Sequence, residues 1–279
     1  MNETSPNQNN LRQYCKVLTV AGSDSGGGAG IQADLKTFSA IGCYGMSVIT
    51  ALTAQNTRGV TGIHAVPPAF AVEQINAVLS DIGADAVKIG MLYSAALIEA
   101  VAAALKKHGA SKIVLDPVMV AQSGDKLLQD DAIEAIKTYL MPLADVVTPN
   151  LPEASVLCGS RLKQRSEIEK AAKTLSRYGS RSILIKGGHG DESKSIDLLF
   201  LAREGRYVSL KADRIITKNN HGTGCTLSSA IAAYMAKGSE IEESVHKAKA
   251  FMNGAIAAGA RYQIGHGHGP VHHFFQWWE

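Results

Sequence analysis

The chain has 279 residues, 46% of them hydrophobic and 19% charged, with a formal net charge of +3. This composition supports a large buried core and excludes a low-complexity or disordered polymer. Basic residues are dispersed, which argues against a nucleic-acid surface, and no apolar run approaches the ~18 residues of a membrane span. Cys15, Cys43, Cys158 and Cys225 follow no CxxC spacing. A zinc site or disulfide framework is therefore disfavoured, and a reducing, cytoplasmic setting is expected.

The first ten residues are polar and carry no apolar signal region, so 1–14 reads as a frayed tail ahead of a single domain over 15–279. Residues 17–22 form an apolar run ending in glycine, a buried strand. The loop 23–30 (SDSGGGAG) leads into a helix carrying Ile31, Leu35, Phe38 and Ile41, stopped by Gly42. Strands are predicted over 46–52, 86–91, 112–116, 145–148 and 182–186. Helices are predicted over 69–82, 95–107, 130–141 and 166–178. The last of these has Ser166 and Glu169 as a capping box. Alternating strands and helices imply βαβ units and a mostly parallel sheet. The stretch 196–211 reads instead as a hairpin about Glu204-Gly205. Two further helices follow over 223–236 and 240–258, the second with a capping box at Ser239 and Glu242.

Two glycine clusters carry the chemistry. The first is Gly26, Gly27, Gly28 and Gly30. A dinucleotide fold needs an acidic residue about 20 positions on, and none lies between Asp34 and Glu73. A Walker loop needs a lysine after the glycines, and none is there. Asp24-Ser25-Gly26-Gly27 echoes a trypsin-like nucleophile segment, but this chain is neither all-β nor Cys-bridged. A tight turn and a small-molecule contact both remain open. The second cluster is Gly222-Thr223-Gly224-Cys225 at a helix start. Unpaired amides and the helix dipole make it an anion hole suited to a migrating phosphoryl group. A thiol there is expected to have a depressed pKa.

These residues lie within longer segments: 21–57, KIGML at 88–92, VLDPVM at 114–119, TPNLPEA at 148–154, KGGH at 186–189, NHGTGCT at 220–226 and GPVHHFFQWW at 269–278. Together they resemble the hydroxymethylpyrimidine/phosphomethylpyrimidine kinases of thiamine biosynthesis, in the vitamin-kinase branch of the ribokinase-type superfamily. The first loop departs mildly from the family pattern at Ser25 and Gly26. The resemblance implies a ribokinase-like three-layer α/β/α fold with a mostly parallel central sheet and a late β-hairpin. It also implies ATP-dependent phosphorylation of a small pyrimidine alcohol and then of its monophosphate, by a homodimer.

By matching position, Gly22, Asp34, Gln55 and Met91 are expected against the pyrimidine. Gln55 can offer an acceptor and two donors to an aminopyrimidine edge. Asn150, Lys186, Gly222 and Gly224 are expected against ATP, with Asp116 and Glu153 as the acidic pair for Mg²⁺. A monovalent cation is left open. Gly222, Thr223, Gly224, Cys225 and Lys186 are the implied catalytic set, with Cys225 as base. His266, His268, His272 and His273 lack a carboxylate or cysteine partner and read as a packed terminus rather than a metal site. A pyridoxine/pyridoxal kinase of the same fold is the alternative. A non-catalytic nucleotide-binding protein and an NAD dehydrogenase are the rivals from other classes.

Overall fold

The computed structural model describes residues 12–119, 130–187 and 194–278. Most of the expected N-terminal tail and part of the segment 186–189 lie outside them. The described strands form one sheet in the order β3-β2-β1-β4-β5-β6-β7-β8-β9. Its centre is parallel: β2 (Tyr44–Asn56), β1 (Lys16–Asp24), β4 (Ala86–Ile89), β5 (Ile113–Leu115), β6 (Val146–Val147) and β7 (Ser182–Ile185). Antiparallel strands close both edges. β3 (Gly59–Ala65) pairs with β2, and the expected hairpin, β8 (Lys194–Leu201) with β9 (Arg206–Asp213), pairs with β7.

Helices cover both faces, so the central strands are apolar almost without interruption. Side chains alternate between two cores. Leu18, Val87, Ile113, Val147 and Ile183 face one core with α2 (Pro68–Asp81), α3 (Ala95–Lys107), α4 (Asp130–Ala135), α5 (Leu151–Cys158) and α6 (Arg165–Ser176). Val17, Ala86, Val114, Val146 and Leu184 face the other, with α1 (Gly30–Ile41), α7 (Thr223–Ala236) and α8 (Ile241–Gly259). The three-layer α/β/α architecture with a mostly parallel sheet is as expected.

Local departures have local causes. β3 was not anticipated, because its residues are exposed along the whole strand and two of its seven are glycine, leaving no apolar alternation. β2 runs four residues beyond the expected end, which puts Gln55 on a paired strand opposite Val60 rather than in a loop. The α6 capping box is Gln164 with Glu167, because Glu169 instead pairs with Arg165 at 2.9 Å. α8 starts at Ile241 after Glu240 with no side-chain cap. Its expected partner Glu242 instead meets Arg206 at 2.6 Å. The helix over 130–141 is α4 continued by a π turn, Ile136–Leu140, and a 3₁₀ turn, Met141–Leu143.

Candidate active site

In a parallel sheet all carboxyl ends open on one edge, where ligands bind. Here that edge gathers the loop after β1, Gln55 near the end of β2, Met91 after β4, Asp116 after β5, Asn150 after β6 and Lys186 after β7. The N-terminus of α7 lies against the same edge. These residues are scattered over more than 200 positions and meet only through the strand order.

The first loop is organised by Asp24. Its carboxylate accepts from the amides of Gly26 (2.8 Å), Gly28 (3.0 Å) and Ala29 (2.9 Å). His221 lies 2.9 Å from Asp24 Oδ2. Burial raises the Asp24 pKa, but His221 and the amides outweigh it and hold the carboxyl below its usual value. The glycines are needed for space. A side chain on Gly28 would strike the His221 ring at 2.5 Å, and one on Gly22 would meet Met91 Cε at 2.9 Å. Gly22 and Met91 are therefore close neighbours at this edge.

Gly222 caps α7 with φ +79°, a conformation that suits glycine, and a Cβ there would overlap the carbonyl oxygen of Gly28. The two glycine loops thus touch backbone to backbone. No side chain caps α7, and the first helical acceptor, Gly222 O, serves Thr226 N at 2.9 Å. The amides of Gly224 and Cys225 lie in the first turn of α7, ahead of any helical acceptor, which is the feature on which the expected anion binding depends. His221 also reaches Gln55, with 3.3 Å between its Nε2 and the amide of Gln55. His221 and Gly222 therefore bring the second glycine turn against Gln55 and the first loop.

Beside the turn lies a charged group. Lys186 Nζ donates to Asp116 Oδ1 at 2.8 Å, and a Cβ on Gly224 would sit 3.3 Å from Lys186 Nζ and 3.5 Å from Asp116 Oδ2. Thr148 and Ser228 hydroxyls donate to Asp116, each at 3.2 Å. Burial pushes Asp116 up, but Lys186 and Lys88 overcome this and keep it ionised below the usual range. Lys186 is held above its usual value; burial opposes this, and Asp116 and Glu153 override it. Glu153 is raised to about 7, first by burial and also by Asp116, with Lys186 opposing. Asn150 and Glu153 form the capping box of α5: Asn150 Oδ1 accepts from Glu153 N at 2.8 Å, and Glu153 Oε2 accepts from Asn150 N at 2.7 Å.

Two expectations are corrected. Asp34 does not line the pocket. It is fully buried, paired with Lys88 at 2.9 and 3.0 Å, and takes hydrogen bonds from Thr19 and Ser229, both at 2.7 Å. Its carboxylate is spent inside the protein. Cys225 is not a low-pKa thiol: burial pushes it up to about 11, with Asp34 and Asp116 adding, against the pull of Lys88. The helix N-terminus alone suggested a thiolate, but burial, with two buried carboxylates adding to it, reverses the sign. Asp24, Lys88, Thr148, His221 and Ser228 complete the site and were given no role from sequence. Each has at least one partner far off in the chain: His221 for Asp24, Asp34 for Lys88, and Asp116 for Thr148 and Ser228.

The sequence profile of the phosphomethylpyrimidine kinase family matches residues 24–272. A hydroxymethylpyrimidine/phosphomethylpyrimidine kinase of Rhizobium meliloti is 52% identical over 265 residues, covering 94% of this chain and 98% of that protein. A thiamine biosynthesis bifunctional protein of Geobacter sulfurreducens is 53% identical over 258 residues; the match covers 92% of this chain but only 52% of that longer protein. Among solved structures, a Bacillus subtilis pyridoxal kinase with ADP superposes with a TM-score of 0.87 at 36% identity, covering 94% of this chain and 98% of that one. The Clostridium difficile phosphomethylpyrimidine kinase gives 0.77 at 44% identity, covering 86% and 99%. Likeness of this extent, over nearly the whole chain, places the protein in the phosphomethylpyrimidine kinase family of phosphotransferases.

Proposed function

We propose that the chain transfers the γ-phosphoryl group of ATP to 4-amino-5-hydroxymethyl-2-methylpyrimidine, and a second phosphoryl group to the resulting monophosphate, in thiamine biosynthesis. The observation that carries this reading is the contact between the Gly222–Cys225 turn and the Gly22–Gln55 pocket, with Lys186 beside Gly224. Gln55 and Met91 hold the ring. Phosphoryl transfer asks mainly for positioning and charge neutralisation. The Gly224 and Cys225 amides, with Lys186, supply both at the point where charge develops. Asn150 and Lys186 face the nucleotide side.

Asp116 and Glu153 are hard oxygen donors and suit Mg²⁺ that keeps most of its waters. Once bound, Mg²⁺ would neutralise phosphate charge. Its binding would favour the ionised form of Glu153. Cys225 is the group placed to take the hydroxymethyl proton. As a thiol of pKa about 11 it works through a small thiolate fraction, or it mainly orients the alcohol. The four cysteines are free, which fits a cytoplasmic setting. Among the described residues no helix is long and apolar enough to cross a membrane. β3 is exposed throughout and carries Val60 and Ile63, which fits self-association as a homodimer.

The test is an ATP-coupled assay with the pyrimidine alcohol, its monophosphate and pyridoxine compared side by side. Turnover of both pyrimidines supports the reading; no ATP consumption with either overturns it. The pyridoxal kinase neighbours justify pyridoxine as the comparison, since its preferred turnover would install the alternative.

A further inference from the structure

His221 and Thr53 constrain the Gln55 amide from opposite sides. The constraint from His221 begins at Asp24. A carboxylate can only accept, so the His221 nitrogen 2.9 Å from Asp24 Oδ2 must carry the hydrogen. That same Nε2 lies 3.3 Å from the atom assigned as Gln55 Nε2. A ring N–H facing an amide N–H₂ is repulsive, so Gln55 must turn its carbonyl oxygen towards His221. The second constraint is independent. Thr53 has one hydroxyl hydrogen, and the carbonyl of Ser23, 2.8 Å away, can only accept it. The Thr53 oxygen lies 3.2 Å from the atom assigned as Gln55 Oε1; with its hydrogen on Ser23 it is left as an acceptor, and requires an N–H from Gln55 in that place. Both constraints give one orientation, the assigned amide turned over, with Oε1 on His221 and Nε2 on Thr53. Amide oxygen and nitrogen are distinguished only by such networks.

We infer that His221 is a positioning residue for substrate choice: clamped by Asp24, it sets the polarity of the Gln55 amide. With one amide hydrogen on Thr53 and one lone pair on His221, Gln55 is left with one N–H and one lone pair for a ligand, and the polarity fixes which of the two lies on which side; the reverse orientation would exchange their places. That pair matches a ring nitrogen beside an exocyclic amine, the edge of an aminopyrimidine. It mismatches a ring that presents a methyl group at that place, which cannot donate to the Gln55 oxygen as an amine or a hydroxyl can. Because His221 directly precedes Gly222, the same side chain ties ring recognition to the anion-binding turn. This inference rests on the proposed substrate class.

Two measurements test it, and the first needs no substrate. In the ligand-free protein, side-chain amide protons of Gln55 should show nuclear Overhauser contacts to Thr53 and not to the His221 ring; contacts to His221 overturn the assignment. The second is kinetic. His221→Phe keeps a ring but removes the N–H. It should raise KM for the pyrimidine alcohol about 10- to 100-fold, the range for an unpaired buried polar group. KM for ATP and kcat should shift about threefold or less. Preference over pyridoxine should fall by the same factor as KM rises. His221→Gln, which retains an N–H donor, should recover most of the loss. Equal effects on ATP and pyrimidine, or no recovery with His221→Gln, would mean that His221 only supports the turn. If the wild-type protein fails to turn over the pyrimidine, the substrate assignment fails, while the Gln55 contacts still decide the amide polarity.

Discussion

The ammonium of Lys88 lies 2.9 and 3.0 Å from the two oxygens of Asp34, and neither side chain reaches solvent. The pair joins β4 to α1, and Thr19 and Ser229 add β1 and α7 to the same carboxylate. Ser229 is one turn beyond Cys225, so the network fixes the depth of the α7 N-terminus against the sheet. Lys88→Met leaves Asp34 charged and unpaired, which costs roughly 3–5 kcal/mol. Thermal denaturation should show a Tm lower by on the order of 10 °C. Adding Asp34→Asn should restore much of that, because the uncompensated charge is removed. A single variant as stable as wild type would contradict the ion pairing.

Glu153 makes stability depend on pH in the direction opposite to an ordinary paired carboxylate. Its pKa rises from 4.5 to about 7 in the folded state. Between those values the folded protein holds a proton that the unfolded chain has lost, so stability falls as pH rises through this window. The change is about 3 kcal/mol. Urea titrations at pH 5 and pH 7.5 should show this fall in wild type, and Glu153→Gln should flatten it.

If Mg²⁺ engages Glu153, nucleotide binding near pH 7 should release a proton. Calorimetry in two buffers of different ionisation enthalpy measures that release. Identical apparent enthalpies in the two buffers would count against Glu153 as a metal-side group.

Cys225 offers a pH signature that separates the two phosphorylations. Its thiol has a pKa of about 11, so the thiolate fraction grows about tenfold per pH unit through the neutral range. If the thiolate takes the hydroxymethyl proton, the first-step rate should climb with pH towards that value. The second step uses an already ionised phosphate and should not. Accordingly Cys225→Ala should lower the first step by about 10²-fold or more and the second by much less. Equal losses would reduce Cys225 to a packing role.

Gly222→Ala tests the contact between the two glycine loops. The position needs φ +79°, and a methyl group there would overlap the Gly28 carbonyl oxygen. The left-handed conformation alone costs an alanine about 1–2 kcal/mol, and relieving the overlap requires the backbone to shift, displacing the amides proposed to receive phosphate. Turnover should drop on the order of 10²-fold while the protein still folds. Single-turnover rates compared with circular dichroism separate the two effects.

Fold class and much of the site can be read directly from the chain. Apolar runs covered on both faces, helix periods between them and glycine after strand ends dictate an α/β sheet with ligands at its carboxyl edge, because local sterics and burial act within a few residues. Gly222–Cys225 is visible for the same reason: a helix start is a local event. Tertiary structure alone settles which side of a carboxylate faces what. Asp34, in the glycine-loop helix, turns inward to Lys88, 54 residues away. Cys225, at a helix N-terminus that favours a thiolate, is overruled by burial and by Asp34 and Asp116. His221 meets Gln55 across 166 residues. Charges interact through space in a medium of low dielectric, so their sign and effect depend on neighbours that no local pattern names.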